Sequence, residues 1–261
     1  MDLQLDGKHV LVTGGSRGIG LACAREFLAE GCRVSLVGRS ASHMEKALAE
    51  LKGLGAVSGH CADLTDPAAA ARAVETAEGT HGPIDVLVNS AGAAKRTPFD
   101  ELKPQAWHDA MQAKFFTYVH VMDSVLPRMG ARGAGVVVNV IGMGGKVATT
   151  THLPGGAANA ALMLATAGLA AAWGPRGVRV NAVNPTLTFT DRLAQGFAVD
   201  ARLRNTTQEE VQRQAEKKLP LGRLARPEEV AAAVLFLASP RASYVSGAIL
   251  SMDGAAVPMV V

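Results

Sequence analysis

Cysteine is nearly absent. Cys23, Cys32 and Cys61 are the three in 261 residues, and they fit neither a disulfide framework nor a metal site. A reducing, cytoplasmic setting without a bound metal is the expectation. An excess of one charge is missing too: 26 Lys and Arg stand against 23 Asp and Glu, and no block of like charge stands out. Nucleic acid is therefore not an expected partner, since phosphate binding needs a clustered basic face. The opening stretch MDLQLDGKHV lacks an apolar signal core. Residues 147–175 carry no Asp, Glu, Lys or Arg, but Gly, Ala and Thr fill much of the run and Pro154 and Pro175 bracket its apolar part. A membrane-spanning helix wants about 20 strongly apolar residues. A helix buried on several faces, against a sheet and a partner subunit, is expected instead.

Short apolar runs and longer helical patterns alternate along the rest. HVLVTGG (9–15), RVSLVGR (33–39), IDVLVNSAG (84–92), GVVVNVIG (135–142), GVRVNAVNP (177–185) and GAILSMDG (247–254) read as buried parallel strands, being β-branched and uniformly apolar. GLACAREFLAEG (20–31) and PEEVAAAVLFLAS (227–239) read as helices between them. The alternation predicts an α/β, Rossmann-type, doubly wound parallel sheet with helices on both faces. One domain over residues 1–261 is expected, burying roughly three quarters of the unfolded chain's surface. Residues 191–218 depart from the pattern, being long and polar. They read either as a solvated helical pair or as a lid over a site.

The loop TGGSRGIG (13–20) follows the first strand and opens the first helix. Gly14, Gly18 and Gly20 permit a tight turn and a close backbone approach to a pyrophosphate, which the unpaired N–H groups of the helix start then attract. Ser16, Arg17 and Ile19 complete this expected dinucleotide cradle. At the end of the second strand, Gly38 stands where a carboxylate would grip a ribose 2′-hydroxyl, and Arg39 follows. Two cations, Arg17 and Arg39, without an acid favour a 2′-phosphate, hence NADP(H) over NAD. Charge-assisted hydrogen bonds contribute about 1.5–3 kcal/mol each, enough to decide that choice. Two solvated surface arginines are the plain alternative.

With TGGSRGIG, NSAG (89–92), RVNAVNP (179–185) and the late PLGRLARPEEVAAAVLFLAS…YVSG…DG (220–254), the chain resembles the short-chain dehydrogenase/reductase family, of the 3-oxoacyl-acyl-carrier-protein-reductase-like kind, over nearly its whole length. The resemblance implies that Asp63, with Leu64 beside it, contacts the adenine. It also implies that Asn89 steadies the central strand, that Thr190 binds the nicotinamide amide, and that the protein is a homotetramer or dimer. The family's chemistry rests on Asn, Ser, Tyr and Lys. Here Lys114, Gly142, Gly155 and Asn159 stand at those positions, and the chain's two tyrosines, Tyr118 and Tyr244, lie elsewhere.

Lysine and asparagine have thus changed places. The expectation is that the Lys114 ammonium enters the site from the opposite helix while Asn159 binds the nicotinamide ribose. A packed polar pair without catalytic part is the alternative. Gly155, with Gly142, Gly144 and Gly145, is expected to open volume for a substrate, or else to permit close packing. Losing a positioned acid forfeits about 10²–10⁴ in rate, so a replacement donor is sought among Lys114, His152 and Lys146. The imidazole of His152 titrates near 6.5 when unperturbed, and Thr149, Thr150 and Thr151 can donate hydrogen bonds to a substrate oxygen. The pocket is expected to be largely apolar and neutral, formed by 142–151, Gly155 and the 191–218 segment. Three functions compete: an NADP(H)-dependent oxidoreductase on a ketone, imine or enone; a non-redox enzyme using Lys114 as a Schiff base; and a catalytically silent NADP-binding subunit.

Overall fold

Apolar side chains on both faces of a strand call for cover on both sides, and the molecule supplies it. The structure, a computed structural model, describes residues 2–92 and 95–259, with the side chains at 192, 195, 199 and 203 outside that set. Seven strands make one sheet: β1 (His9–Thr13), β2 (Arg33–Gly38), β3 (Val57–Cys61), β4 (Val86–Asn89), β5 (Gly135–Val140), β6 (Val178–Pro185) and β7 (Ile249–Met252). Their order is β3-β2-β1-β4-β5-β6-β7, with every pairing parallel. Along β1, Val10 and Val12 enter one core and Leu11 the other. That period of two makes the run apolar throughout rather than alternating.

The first core packs under α1 (Gly18–Ala29), α2 (Ala41–Leu51) and α9 (Pro227–Ala238). The second lies under α3 (Pro67–His81), α5 (Thr117–Arg132) and α6 (Leu153–Trp173). A short α4 (Pro104–Ala110) runs into α5 through one π turn, Met111–Phe116. The sequence pattern predicts six of the strands. The seventh, β3, reads VSGHC, and all five of its residues are partly or fully exposed. An edge strand pairs on one side only and needs no continuous apolar run, so periodicity does not reveal it.

Residues 191–218 form two helices, α7 (Asp191–Leu203) and α8 (Gln208–Lys217). They close a small cluster of their own around Phe197, Ala201, Val211 and Leu224. Helix α6 shows the expected burial against the sheet on one side. By length and composition it could cross a membrane, yet it buries one stripe within this chain, including Ala158, Leu162, Thr166 and Ala170, with Leu164 78% exposed. The buried side chains recur at helical spacing.

A polar chain crosses β1, β2 and β3 inside this frame. The His9 ring is fully buried. Its Nδ1 lies 2.7 Å from the Gly82 carbonyl and its Nε2 3.0 Å from Ser35 Oγ. A carbonyl only accepts, so Nδ1 carries the proton and Nε2 accepts from Ser35. Ser35 continues to Ser58 at 3.1 Å, and Ser58 to His60 Nε2 at 3.3 Å. Burial holds the His9 pKa below its usual 6.5. The unfolded chain therefore takes up a proton on acidification before the folded one does, and stability falls as pH drops below about 6.5. Urea unfolding at pH 7.5 and 5.5 should show a lower midpoint at the acid pH, and His9→Gln should reduce the difference.

Candidate active site

The sheet order reverses direction between β1 and β4, and at such a switch point the loops leaving the strand ends part to leave a crevice. A cleft of about 1340 Å³ opens there. Its floor is a row of buried side chains in register: Thr13 pairs with Asn89, and Asn89 with Asn139. Thr13 Oγ1 donates to Asn89 Oδ1 at 3.3 Å, Asn89 Nδ2 to Asn139 Oδ1 at 3.0 Å, and Asn139 Nδ2 to Thr166 Oγ1 at 3.0 Å. Thr13 Oγ1 also accepts the N–H groups of Ser90 and Ala91. One row thereby fastens β1, β4, β5 and α6 below the cleft.

At one end the glycine loop lines the wall through Gly14, Ser16, Arg17, Gly18 and Ile19. Gly14 has φ +65°, and a Cβ there would lie 2.7 Å from the Ser90 carbonyl, so only glycine lets the loop sit against NSAG. Two expected cofactor residues fall outside the lining. Gly20 is buried where a Cβ would strike the Gly14 carbonyl. Asn89 belongs to the floor row and faces its neighbours rather than the cleft. Their part is to shape the site from beneath.

Beyond the loop, Arg39, Asp63 and Leu64 line the same end, joined by Ser40 and His43. Arg17 and Arg39 are exposed. The Thr65 backbone N–H, 3.0 Å away, is the chief cause that holds the Asp63 carboxyl below the usual carboxylate range, with Arg39 adding to it. A Cβ at Gly38 would meet Ser16 Oγ at 3.2 Å.

At the other end stand Lys114, Gly142, His152, Asn159 and Thr190. Thr190 caps α7, its Oγ1 accepting from the Leu193 N–H, and its methyl reaches 3.4 Å from a Cβ placed on Gly18. The π turn carries Lys114, which is 8% exposed. Its Nζ donates to Tyr118 Oη at 2.7 Å and to the Val140 carbonyl at 3.0 Å, while Tyr118 Oη donates to the same carbonyl at 2.5 Å. Burial pushes the Tyr118 phenol above its ordinary pKa, so it stays neutral. Asn159 Nδ2 comes within 3.4 Å of a Cβ placed on Gly142, and His152 Cδ2 within 3.4 Å of one on Gly144. Lysine and asparagine thus border one cleft from two helices.

Several expectations for this end change. Gly155 is buried in the first turn of α6 and is not among the lining residues. A Cβ on Gly156 would lie 2.7 Å from the Gly144 carbonyl, and one on Gly145 2.7 Å from Ala160 N. These glycines therefore let the 142–145 turn close down on α6, which is the packing reading and not added volume. Lys146 turns to Ser251 Oγ at 3.2 Å and does not line the cleft. Of the three threonines only Thr149 lines it, as does Arg96, which is exposed. With Lys114, His152 and Arg96 on its wall the pocket is not neutral. Arg96, a single residue in a loop, and His43, in the first turn of α2, carry no periodic or motif signal that would mark them in the sequence. The Thr97 N–H to Thr151 carbonyl bond, 3.0 Å, draws the Arg96 segment to the cleft.

Residues 14–255 match the family model described as enoyl-(acyl carrier protein) reductase. The D-threitol dehydrogenase of Mycolicibacterium smegmatis is 36% identical over 257 residues, covering 97% of this chain and 94% of that protein. The chain belongs to the short-chain dehydrogenase/reductase family. The galactitol 2-dehydrogenase (L-tagatose-forming) of Cereibacter sphaeroides is 37% identical over 96% of the chain and 95% of its own length. Among solved structures, L-sorbose reductase from Gluconobacter frateurii, complexed with NADPH and L-sorbose, superposes with a TM-score of 0.94 at 27% identity over 100% of both chains. The chain is thus an oxidoreductase of this family, and several of its relatives are named for polyol and sugar dehydrogenation.

The floor row yields a stability prediction. Asn139→Ala removes a buried donor and acceptor and leaves Asn89 and Thr166 short of a partner. Its unfolding free energy in urea should fall by about 2 kcal/mol or more, whereas an exposed control such as Gln105→Ala should lie near wild type.

Proposed function

We propose that this short-chain dehydrogenase/reductase is NADP(H)-dependent, reduces or forms a ketone, imine or enone, and uses Lys114 where relatives use a tyrosine. One observation carries the reading: a nearly buried lysine, held by Tyr118 and Val140, borders the same cleft as Asn159. A side chain that merely packed two helices together would have no reason to reach that wall.

The residues present fit a dinucleotide. The glycine loop is tight enough at Gly14 to exclude a Cβ, which leaves its backbone N–H groups and the start of α1 open to a pyrophosphate. Arg17 and Arg39 take the 2′-phosphate, Asp63 and Leu64 the adenine side, Thr190 the carboxamide and Asn159 the ribose. When bound, the nicotinamide supplies or accepts the hydride. Lys114 holds the proton that a substrate oxygen or nitrogen needs, and its charge offsets negative charge developing there. His152 and Thr149 contact the substrate from the α6 side. Asp191, Leu193 and Gly196 line the cleft, so α7 and α8 serve as a lid whose own small core lets it move as a unit. The exposed apolar side of α6, Leu164 included, suits burial in a homotetramer or dimer. A cytoplasmic setting accords with the free thiols.

Two tests bear on this reading. Against a panel opened by D-threitol, L-sorbose and L-xylulose, the substrates in the relatives' names, Lys114→Met should lower turnover by about 10²–10⁴ with NADPH binding retained. Wild-type turnover in a folded variant would remove Lys114 from the chemistry. Arg39→Ala and Arg17→Ala should each weaken NADPH binding by about tenfold or more, read by nicotinamide fluorescence, and leave NADH binding unchanged. Equal loss for both cofactors would defeat the NADP assignment.

A further inference from the structure

We infer that Tyr118 is the positioning residue of this site: its phenol oxygen accepts from the Lys114 ammonium, fixing it against the Val140 carbonyl and sustaining its charge inside the wall of the cleft. The inference rests on the proposed role of Lys114. Nothing in the family's motifs points to position 118, which lies on the opposite helix from the usual tyrosine.

Three distances define the arrangement. Lys114 Nζ to Tyr118 Oη is 2.7 Å, Nζ to the Val140 carbonyl 3.0 Å, and Oη to that carbonyl 2.5 Å. The phenol has one proton and donates it to the carbonyl, so the lone pair facing Nζ must accept. Tyr118 is fully buried and neutral, and so serves the ammonium as a fixed dipole and not as a counter-charge. Burial disfavours a charged amine, while hydrogen bonds to the charged form favour it. Lys114 and Tyr118 are four residues apart, the spacing that brings side chains together across one helical turn. The fixed Val140 carbonyl at the end of β5 then sets where the pair can sit.

The titratable neighbours on the packed elements are few. Helix α6 carries no Asp, Glu, Lys or Arg between 153 and 173, and His152 precedes it. On α5, His120 holds the Leu64 carbonyl through Nδ1 at 3.0 Å and Asp123 is exposed. On α4, His108 and Asp109 are exposed. The contacts of this amine include the Tyr118 hydroxyl, the Val140 carbonyl and the Tyr118 ring, whose centroid lies 4.4 Å from Nζ, and the hydroxyl can be removed while the ring is kept. Removing it takes one acceptor from Nζ and weakens the hold on its proton.

The experiment uses the whole protein with lysine labelled with ¹³C at Cε, titrated by NMR in the presence of NADPH, the Lys114 signal being assigned by its loss in Lys114→Met. In Tyr118→Phe, the Lys114 signal should leave its charged position about one pH unit lower than in wild type, the other lysines staying in place. With the best substrate of the panel, kcat should fall by about tenfold or more with KM little changed, and its alkaline limb should move to lower pH. Superimposed titrations up to the pH of unfolding overturn the inference. Wild-type turnover in Lys114→Met overturns the underlying catalytic reading instead, and leaves the titration result standing on its own. Should Tyr118→Phe fail to fold, 3-fluorotyrosine replaces it. The chain has two tyrosines, and the weaker acceptor oxygen should move the Lys114 titration the same way by less.

Discussion

Four buried polar side chains, Thr13, Asn89, Asn139 and Thr166, hold the cleft in shape. Each comes from a different element, and each lies where unpaired polar atoms would be costly. Parallel pairing brings Thr13, Asn89 and Asn139 into line, and the row then reaches sideways to α6. Because Thr13 also receives the Ser90 and Ala91 N–H groups, the loop that faces the glycine turn is fixed by the same atoms. The two ends of the cleft therefore share one foundation.

Charge is distributed along that cleft in a physically consistent way. Arg17 and Arg39 are exposed. Lys114 is nearly buried, beside the fixed dipoles of the Tyr118 hydroxyl and the Val140 carbonyl. A surface lysine would have lost most of its influence to solvent screening. The π turn at Met111–Phe116 inserts an extra residue into the helical repeat, as such turns often do at sites. It lies at the place where Lys114 turns toward the Val140 carbonyl.

Much of the cofactor end was legible in the residues. The glycine loop turns between a strand and a helix as its spacing predicts, and Gly14, Ser16, Arg17, Gly18 and Ile19 all line the cleft. The misplacements come from close packing. Gly155 is open to two readings in the sequence, added space or close packing, and the second holds: it is buried, and its neighbours Gly145 and Gly156 draw two segments together. A glycine in a sequence says that a side chain is missing and does not say whether solvent, ligand or backbone fills the place. Lys146 and Lys114 look alike on paper, yet one reaches Ser251 and the other the cleft.

What the sequence determined by itself is the architecture and the tight glycine turn at the end of β1. Continuous β-branched runs commit a chain to a two-sided parallel sheet, and local spacing of glycines commits a loop to a tight turn. What only the tertiary structure decided is which polar groups meet across the cleft: Lys114 with Tyr118 and Val140, Asn159 beside Gly142, Arg96 drawn in by the bond between Thr97 and Thr151. Local patterns arise from neighbours in sequence, whereas these encounters depend on how strands order and helices cross, and no short-range signal encodes them.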